Sequence, residues 1–226
     1  MFTRYVTNTY EIVDTYRETL INAKDAKVTI EPSSDNHTKL VFFEKKRRPY
    51  EFFITDGTLT IKPTKTKWYN SLTIGINRSE IKLYVPNLAL KKLSVKATVG
   101  RVDIHSINCS DAIEININTG NINLKNVYCK TLDSKGNTGS ASLSNCTAEK
   151  SISIKRNTGK VSLNDCSAPE IFVKTNTGRV SGKLPSNTVF VVRTHTGKVE
   201  TPKAPIGETI GGSCEITTNT GSVNFE

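Results

Sequence analysis

The side chains in this sequence best spaced for chemistry are cations. Lys135, Lys155, Lys174 and Arg193 each stand four residues before a glycine, and Lys160, Arg179 and Lys198 each directly follow one. Like charges stacked in a column repel unless counterions or an anionic ligand offset them. The chemistry on offer is therefore multivalent binding of an anionic glycopolymer, an anionic lipid surface or nucleic acid. The competing reading is a solvated face of screened, flexible side chains. No aromatic residue interleaves the stripe, which argues against stacking of single-stranded bases and hence against nucleic acid. Lys45-Lys46-Arg47-Arg48, ahead of Pro49-Tyr50, is a second basic cluster that reads as a surface loop able to meet anionic headgroups.

Catalytic and metal-binding residue types show no comparable order. His37, His105 and His195 share no spacing, and His195 replaces an Asn in a recurring tripeptide, a structural position rather than a base or ligand. The five cysteines include no C-x-x-C pair and are too few, and odd in number, for a disulfide scaffold. No G-x-S-x-G, H-E-x-x-H or phosphate-binding glycine loop occurs. The expectation is no catalytic residue, no cofactor and no metal. Polysaccharide lyases and hydrolases on parallel β-helices are the enzyme alternative, but they wall a cleft with long loops. Here the interval from Lys198 to Thr220 alone has room for one. Thr175-Asn176-Thr177, Thr194-His195-Thr196 and Thr218-Asn219-Thr220 repeat a T-x-T pattern that flat ice-binding solenoids also show, with turn chemistry as the simpler reading.

The glycines that index the cations also reveal what must position them. Asn118-Thr119-Gly120, Asn137-Thr138-Gly139, Asn157-Thr158-Gly159, Asn176-Thr177-Gly178, His195-Thr196-Gly197 and Asn219-Thr220-Gly221 follow a weaker copy, Thr98-Val99-Gly100. Successive glycines are 20, 19, 20, 19, 19 and 24 residues apart. After each glycine, apolar residues alternate in pairs such as Val102/Ile104, Ile122/Leu124 and Val161/Leu163; before it stand pairs such as Leu93/Val95, Ile113/Ile115 and Ile152/Ile154. Period two means strand, so each repeat carries two half-buried strands. Such a unit cannot bury its apolar face alone, but copies stacked in parallel register at about 4.8 Å can.

The fold expected is all-β: a single-stranded parallel β-solenoid, right-handed by the crossover rule, with coils of 19 to 20 residues. Asn and Thr suit the corner through side-chain to backbone hydrogen bonds, Gly through its tolerance of positive φ, and stacked Asn side chains can form a ladder. The cysteines fall on the same grid: Cys146 and Cys166 share a column with Ile107 and Val127, Cys109 and Cys129 share another, and Cys214 replaces Ile113 or Ile171. They read as buried free thiols.

Before residue 90 the period is lost while strand signals persist, in Val28/Ile30, Leu40 to Phe43, Phe52 to Ile54, Leu59/Ile61, Leu72/Ile74/Ile76 and Ile81/Leu83/Val85. Asp14 to Ala26 reads better as strand than as helix, and Asp56-Gly57 marks a hairpin. Residues 1–90 are expected to form an irregular β cap that blunts the solenoid edge, and residues 91–226 its regular coils, within one domain. With 226 residues, 36% hydrophobic, a second large domain has no room. The net charge of +10 favours an anionic partner. Neither a signal peptide nor a membrane-spanning run is read in the chain.

Several of these segments together resemble a known family. Ala26 to Pro32 (AKVTIEP), the hairpin Asp56 to Ile61 (DGTLTI), Ile81 to Pro86 (IKLYVP) leading to Leu88, Leu93 and Val95, the Thr/Ser-Gly repeats, Gly211-Gly212 and the closing Thr220 to Val223 are similar to the bacterial putative-adhesin family, a domain of unknown function built of β-strand repeats. The resemblance spans nearly the whole chain. It implies a β-solenoid attached to the bacterial cell envelope or surface, often encoded beside membrane or stress-response proteins. Members often carry Asp or Asn after the repeat glycine, whereas here Arg101, Lys160, Arg179 and Lys198 take four of those places, a departure that removes support for a calcium-binding or acidic face. The function expected is a non-enzymatic binding module for an anionic polymer or lipid surface. The alternative is a scaffold that docks an envelope or stress-response protein.

Overall fold

The computed structural model describes residues 4–46, 49–64, 79–86, 90–203 and 211–226. All regular elements among them are strands: β1 (Tyr5–Ile12), β2 (Glu18–Pro32), β3 (Thr38–Lys45), β4 (Tyr50–Thr55), β5 (Thr58–Pro63), β6 (Glu80–Val85), β7 (Leu90–His105), β8 (Asn108–Thr138), β9 (Ala141–Thr158), β10 (Val161–Asn164), β11 (Glu170–Thr177), β12 (Val180–Lys183), β13 (Thr188–Thr196), β14 (Val199–Glu200), β15 (Gly212–Thr220) and β16 (Val223–Phe225). They form one long, mostly parallel, solenoid-like sheet. The predicted strand at Leu72/Ile74/Ile76 lies outside the described residues.

The register between neighbours is one sequence repeat. Gly100 pairs with Gly120, Ile122 with Ala141, Ala141 with Val161, and Ile154 with Val173. Equivalent residues therefore stack in columns, and every apolar pair read from the sequence between Leu93 and Leu163 points into one continuous core, save Ser134, a buried hydroxyl. Full burial of each such aliphatic side chain contributes about 1.5–3 kcal/mol, which is how short strands with little local preference are held. All five cysteines are buried and free.

The coil has a third short side that the two-strand reading missed. Ile107/Cys109, Val127/Cys129, Cys146/Ala148 and Cys166/Ala168 are all buried there. Ser106, Asn126, Asn145 and Asp165 turn the chain onto it in the left-handed region, at φ of 52 to 55°. Asn and Asp tolerate that region because their short polar groups bond locally. The Asn145 amide donates to Asn126 Oδ1 at 2.9 Å, so a ladder step forms at this corner, and Asn219 to Asn176, at 3.0 Å, forms another at the Asn-Thr-Gly corner. Glycine is required at the latter for a concrete reason: Gly159 has φ 147°, and a Cβ there would lie 2.2 Å from the Gly139 carbonyl oxygen.

Towards the C-terminus the coils do not stack in chain order. β15 lies between β11 and β13, and β16 between β12 and β14. The last coil of the sequence is thus inserted beneath the one before it. At the other end, Asp56 and Gly57, at φ 50 and 71°, close the antiparallel β4–β5 hairpin. The segment Asp14 to Ala26 runs into β2, which stacks in parallel on β7, with Ala26 opposite Gly100. On the far side of β2 sit β5 and β6, and β6 continues through the antiparallel pairs β6–β3 and β3–β1.

Candidate anion-binding face

Period-two strands place every second side chain outside, and this sets the first cation column on one face. Lys135 of β8 pairs with Lys155 of β9, and Lys155 with Lys174 of β11. These Cα positions are one strand spacing apart, about 4.8 Å. The inserted coil then interrupts the column: Lys174 pairs with Thr217, and Thr217 with Arg193. The sequence expectation of four successive cations is thereby corrected to three, with Arg193 two strand spacings from Lys174. Arg193 is also held elsewhere, since its Nη1 meets Glu215 Oε1 at 3.0 Å.

The second column is interrupted by the same insertion. Val161 opposite Val180 puts Lys160 beside Arg179, but Val223 stands between Val180 and Val199 and so sets Ser222 between Arg179 and Lys198. Arg179 Nε donates to Ser222 Oγ at 3.2 Å, and Lys198 Nζ meets Glu200 Oε1 at 2.5 Å. That hydrogen bond raises the Lys198 pKa, as the one from Lys135 Nζ to Asp133 Oδ2, at 2.5 Å, raises that of Lys135. Lys155 and Lys174 are exposed and, among the described residues, have no carboxylate within 4.0 Å.

The first column borders an open groove of about 690 Å³ that also reaches Gly136, Arg156 and Asn176. Arg156 was missed by the sequence reading. It occupies the inward position two residues after Ile154, where repeats on either side carry Gly136 and Thr175, and it is only 3% exposed. Its Nη2 donates to Ser134 Oγ at 3.1 Å, while Nε and Nη1 have no partner. Burial lowers its pKa to about 10, so it stays charged at neutral pH. A cation at an inward position of an otherwise apolar alternation was the available signal.

Other sequence candidates are dispersed. Lys45 is buried at the end of β3 and only Lys46 begins a turn, so the second basic cluster is not wholly a loop; Arg47 and Arg48 lie outside the described residues. His37 is exposed after β2, His105 ends β7, and His195 is exposed on β13. Among the described residues no group of three or more His, Cys, Asp or Glu could hold a metal. The T-x-T reading fails because Thr175 and Thr218 point inward, each 2% exposed, leaving no flat double rank of threonines. Phe172, two residues before Lys174 on the same outward face of β11, is 39% exposed, so an aromatic ring does flank the stripe.

With fold and face described, the family follows from a match of the toastrack DUF4097 domain to residues 16–226. This chain belongs to the toastrack DUF4097 family. The resemblance drawn from the repeats and the AKVTIEP and IKLYVP segments is thereby upheld. A putative adhesin from Parabacteroides distasonis shares 15% identity over 98% of this chain and 97% of that one, with a TM-score of 0.52, which shows a common fold. A putative adhesin from Bacteroides fragilis has 14% identity over 99% of this chain and 97% of that one, with a TM-score of 0.48. A structure described as a putative lipid binding protein, also from Parabacteroides distasonis, has 19% identity over 97% of this chain and 96% of that one, with a TM-score of 0.47. No curated protein matches the chain.

Proposed function

We propose that this toastrack chain is a non-enzymatic binding module of the bacterial cell envelope or surface that holds an anionic polymer or anionic lipid surface along the Lys135, Lys155 and Lys174 column. In this reading the chain is one parallel β-solenoid domain, with residues 1–90 as cap and 91–226 as regular coils. The observation that carries it is the pair Lys155 and Lys174: adjacent in register, exposed, and without a carboxylate partner among the described residues. Each exposed contact is weak, so affinity comes from several engaging at once on a rigid frame. Phe172 adds an aromatic surface beside the cations. Arg193 and Lys198, each already paired with a glutamate, lie outside the site.

A second reading, a scaffold that docks an envelope or stress-response protein, draws on the terminal coil. Among the described residues, Phe190 and Val192 of β13 are only partly buried, and β13 and β14 each pair on one side. The two readings separate in a binding panel of acidic glycopolymers, anionic liposomes and duplex DNA across a salt series. Polymer or lipid binding should fall steeply with salt. It should also be lost in Lys155→Glu/Lys174→Glu, whereas a docked protein partner would remain bound to that variant. Turnover of an acidic polysaccharide would overturn both.

A further inference from the structure

We propose that two copies of this chain join end to end through the free edge of β13, antiparallel about a two-fold axis at Val191, so that each copy covers the open end of the other's stack. Among the described residues, β13 pairs with β15 alone and β14 with β16 alone. The opposite end of the stack is closed by the antiparallel pairs β6–β3 and β3–β1, and no such cap follows β13 among the described residues. An edge strand leaves a row of backbone N–H and C=O groups open, and proteins that keep such an edge solitary place charges, proline or a bulge on it. β13, TVFVVRTHT, carries one formal charge, Arg193, and no proline. Val191 is 44% exposed on its outward face. Phe190 and Val192 stand in register with the fully buried Cys214 and Ile216 yet are only partly buried themselves.

The strand's own pattern selects a second copy as the occupant. A two-fold interface brings one patch against itself, so that patch must be self-complementary. About Val191 the segment Thr188-Val189-Phe190-Val191-Val192-Arg193-Thr194 reads nearly alike in both directions. Antiparallel pairing centred there sets Phe190 of each copy opposite Val192 of the other, Thr188 opposite Thr194, Val189 opposite Arg193, and Val191 opposite itself. The half-buried apolar layer of each end is then covered by aromatic and β-branched cross-strand pairs, which are favourable. No like charges face each other along the strand. Arg193 and Lys198 of this coil are already met by Glu215 and Glu200, which lets a chain of net charge +10 approach its copy at this end. An axis normal to the sheet also keeps both Lys135, Lys155 and Lys174 columns on one face, where two rigidly joined stripes raise avidity for a polyanion. The pairing itself does not rest on the polymer reading, and it commits this edge to a second copy rather than to another protein.

Sedimentation of the full chain across a concentration series should show a monomer–dimer equilibrium and nothing larger. Val191→Lys lies on the surface of the single chain, so it should fold with unchanged circular dichroism. It sets two like charges face to face on the axis and should raise the dissociation constant at least about tenfold. Val191→Cys should join to itself as a disulfide dimer, because a residue on the axis lies within disulfide reach of its own copy. Glutathione disulfide is the oxidant there, taking two electrons and two protons from the paired thiols and leaving as two molecules of glutathione. Arg193→Cys should not join to itself, since it faces Val189, whereas an equal mixture of Val189→Cys and Arg193→Cys should cross-link. The wild type should form no disulfide dimer, its five cysteines being buried. A chain that stays monomeric at about 100 μM, oligomers that grow beyond the dimer, or a dimer that Val191→Lys leaves intact would overturn the pairing. Equal cross-linking of Arg193→Cys and Val191→Cys would overturn it as well.

Discussion

Single side chains set the geometry of each coil, and their effects are separable. Gly159→Ala places a methyl against the Gly139 carbonyl at a backbone angle that L-residues avoid, so it should lower unfolding free energy by about 2–4 kcal/mol in urea titrations. Asn145→Ala at the other corner removes the bond to Asn126 and a residue suited to φ 52°, and should cost about 1–2 kcal/mol. Burial pushes the Cys129 and Cys214 thiols up from 9.0 to about 12. Their contribution to stability is complete below pH 9.0 and declines as pH rises towards 12, because the unfolded thiols ionise first. Denaturant titrations between these limits should show that decline, and it should flatten in Cys129→Ala/Cys214→Ala. The cysteine columns were legible because an apolar grid of fixed period assigns a burial to each position. The role of Ser106, Asn126, Asn145 and Asp165 was not, since a left-handed residue leaves no mark on hydrophobic period.

At the scale of elements the out-of-order coil matters most. Among the described residues, strands read from period two formed where expected, including β2, whose segment admitted a helical reading. Their order in the stack was another matter. Cys214/Ile216 and Phe190/Val192 are equivalent in the repeat, so either coil satisfies the pattern as neighbour to Ile171/Val173. In the structure Cys214 and Ile216 are fully buried between two coils, while Phe190 and Val192, at the end of the stack, are only partly so. Small, tightly fitting side chains suit the sandwiched layer, and the ring of Phe190 packs on Phe225 with centroids 5.0 Å apart. The 24-residue interval before Gly221 was the one outward sign. Deleting residues 211–226 should strip β13 and β14 of their partners, and limited proteolysis should then cut within 184–203 far faster than in the whole chain. Inter-strand amide contacts by NMR should join Val180 to Val223 and not to Val199.

Across the whole molecule, the stacking order decides which cations act together. Read in chain order, the sequence offers a stripe running from Lys135 to Lys198; the inserted coil places Thr217 and Ser222 in it and leaves a compact patch on three consecutive coils. The most direct measurement compares two charge reversals of equal size, Lys155→Glu/Lys174→Glu and Arg193→Glu/Lys198→Glu, for binding to acidic glycopolymer and anionic vesicles at physiological salt. The account predicts that the first abolishes binding and the second leaves it within about threefold, screening having weakened charges beyond the roughly 8 Å Debye length. Equal losses from both reversals would mean a diffuse basic surface rather than a site, and would contradict the account.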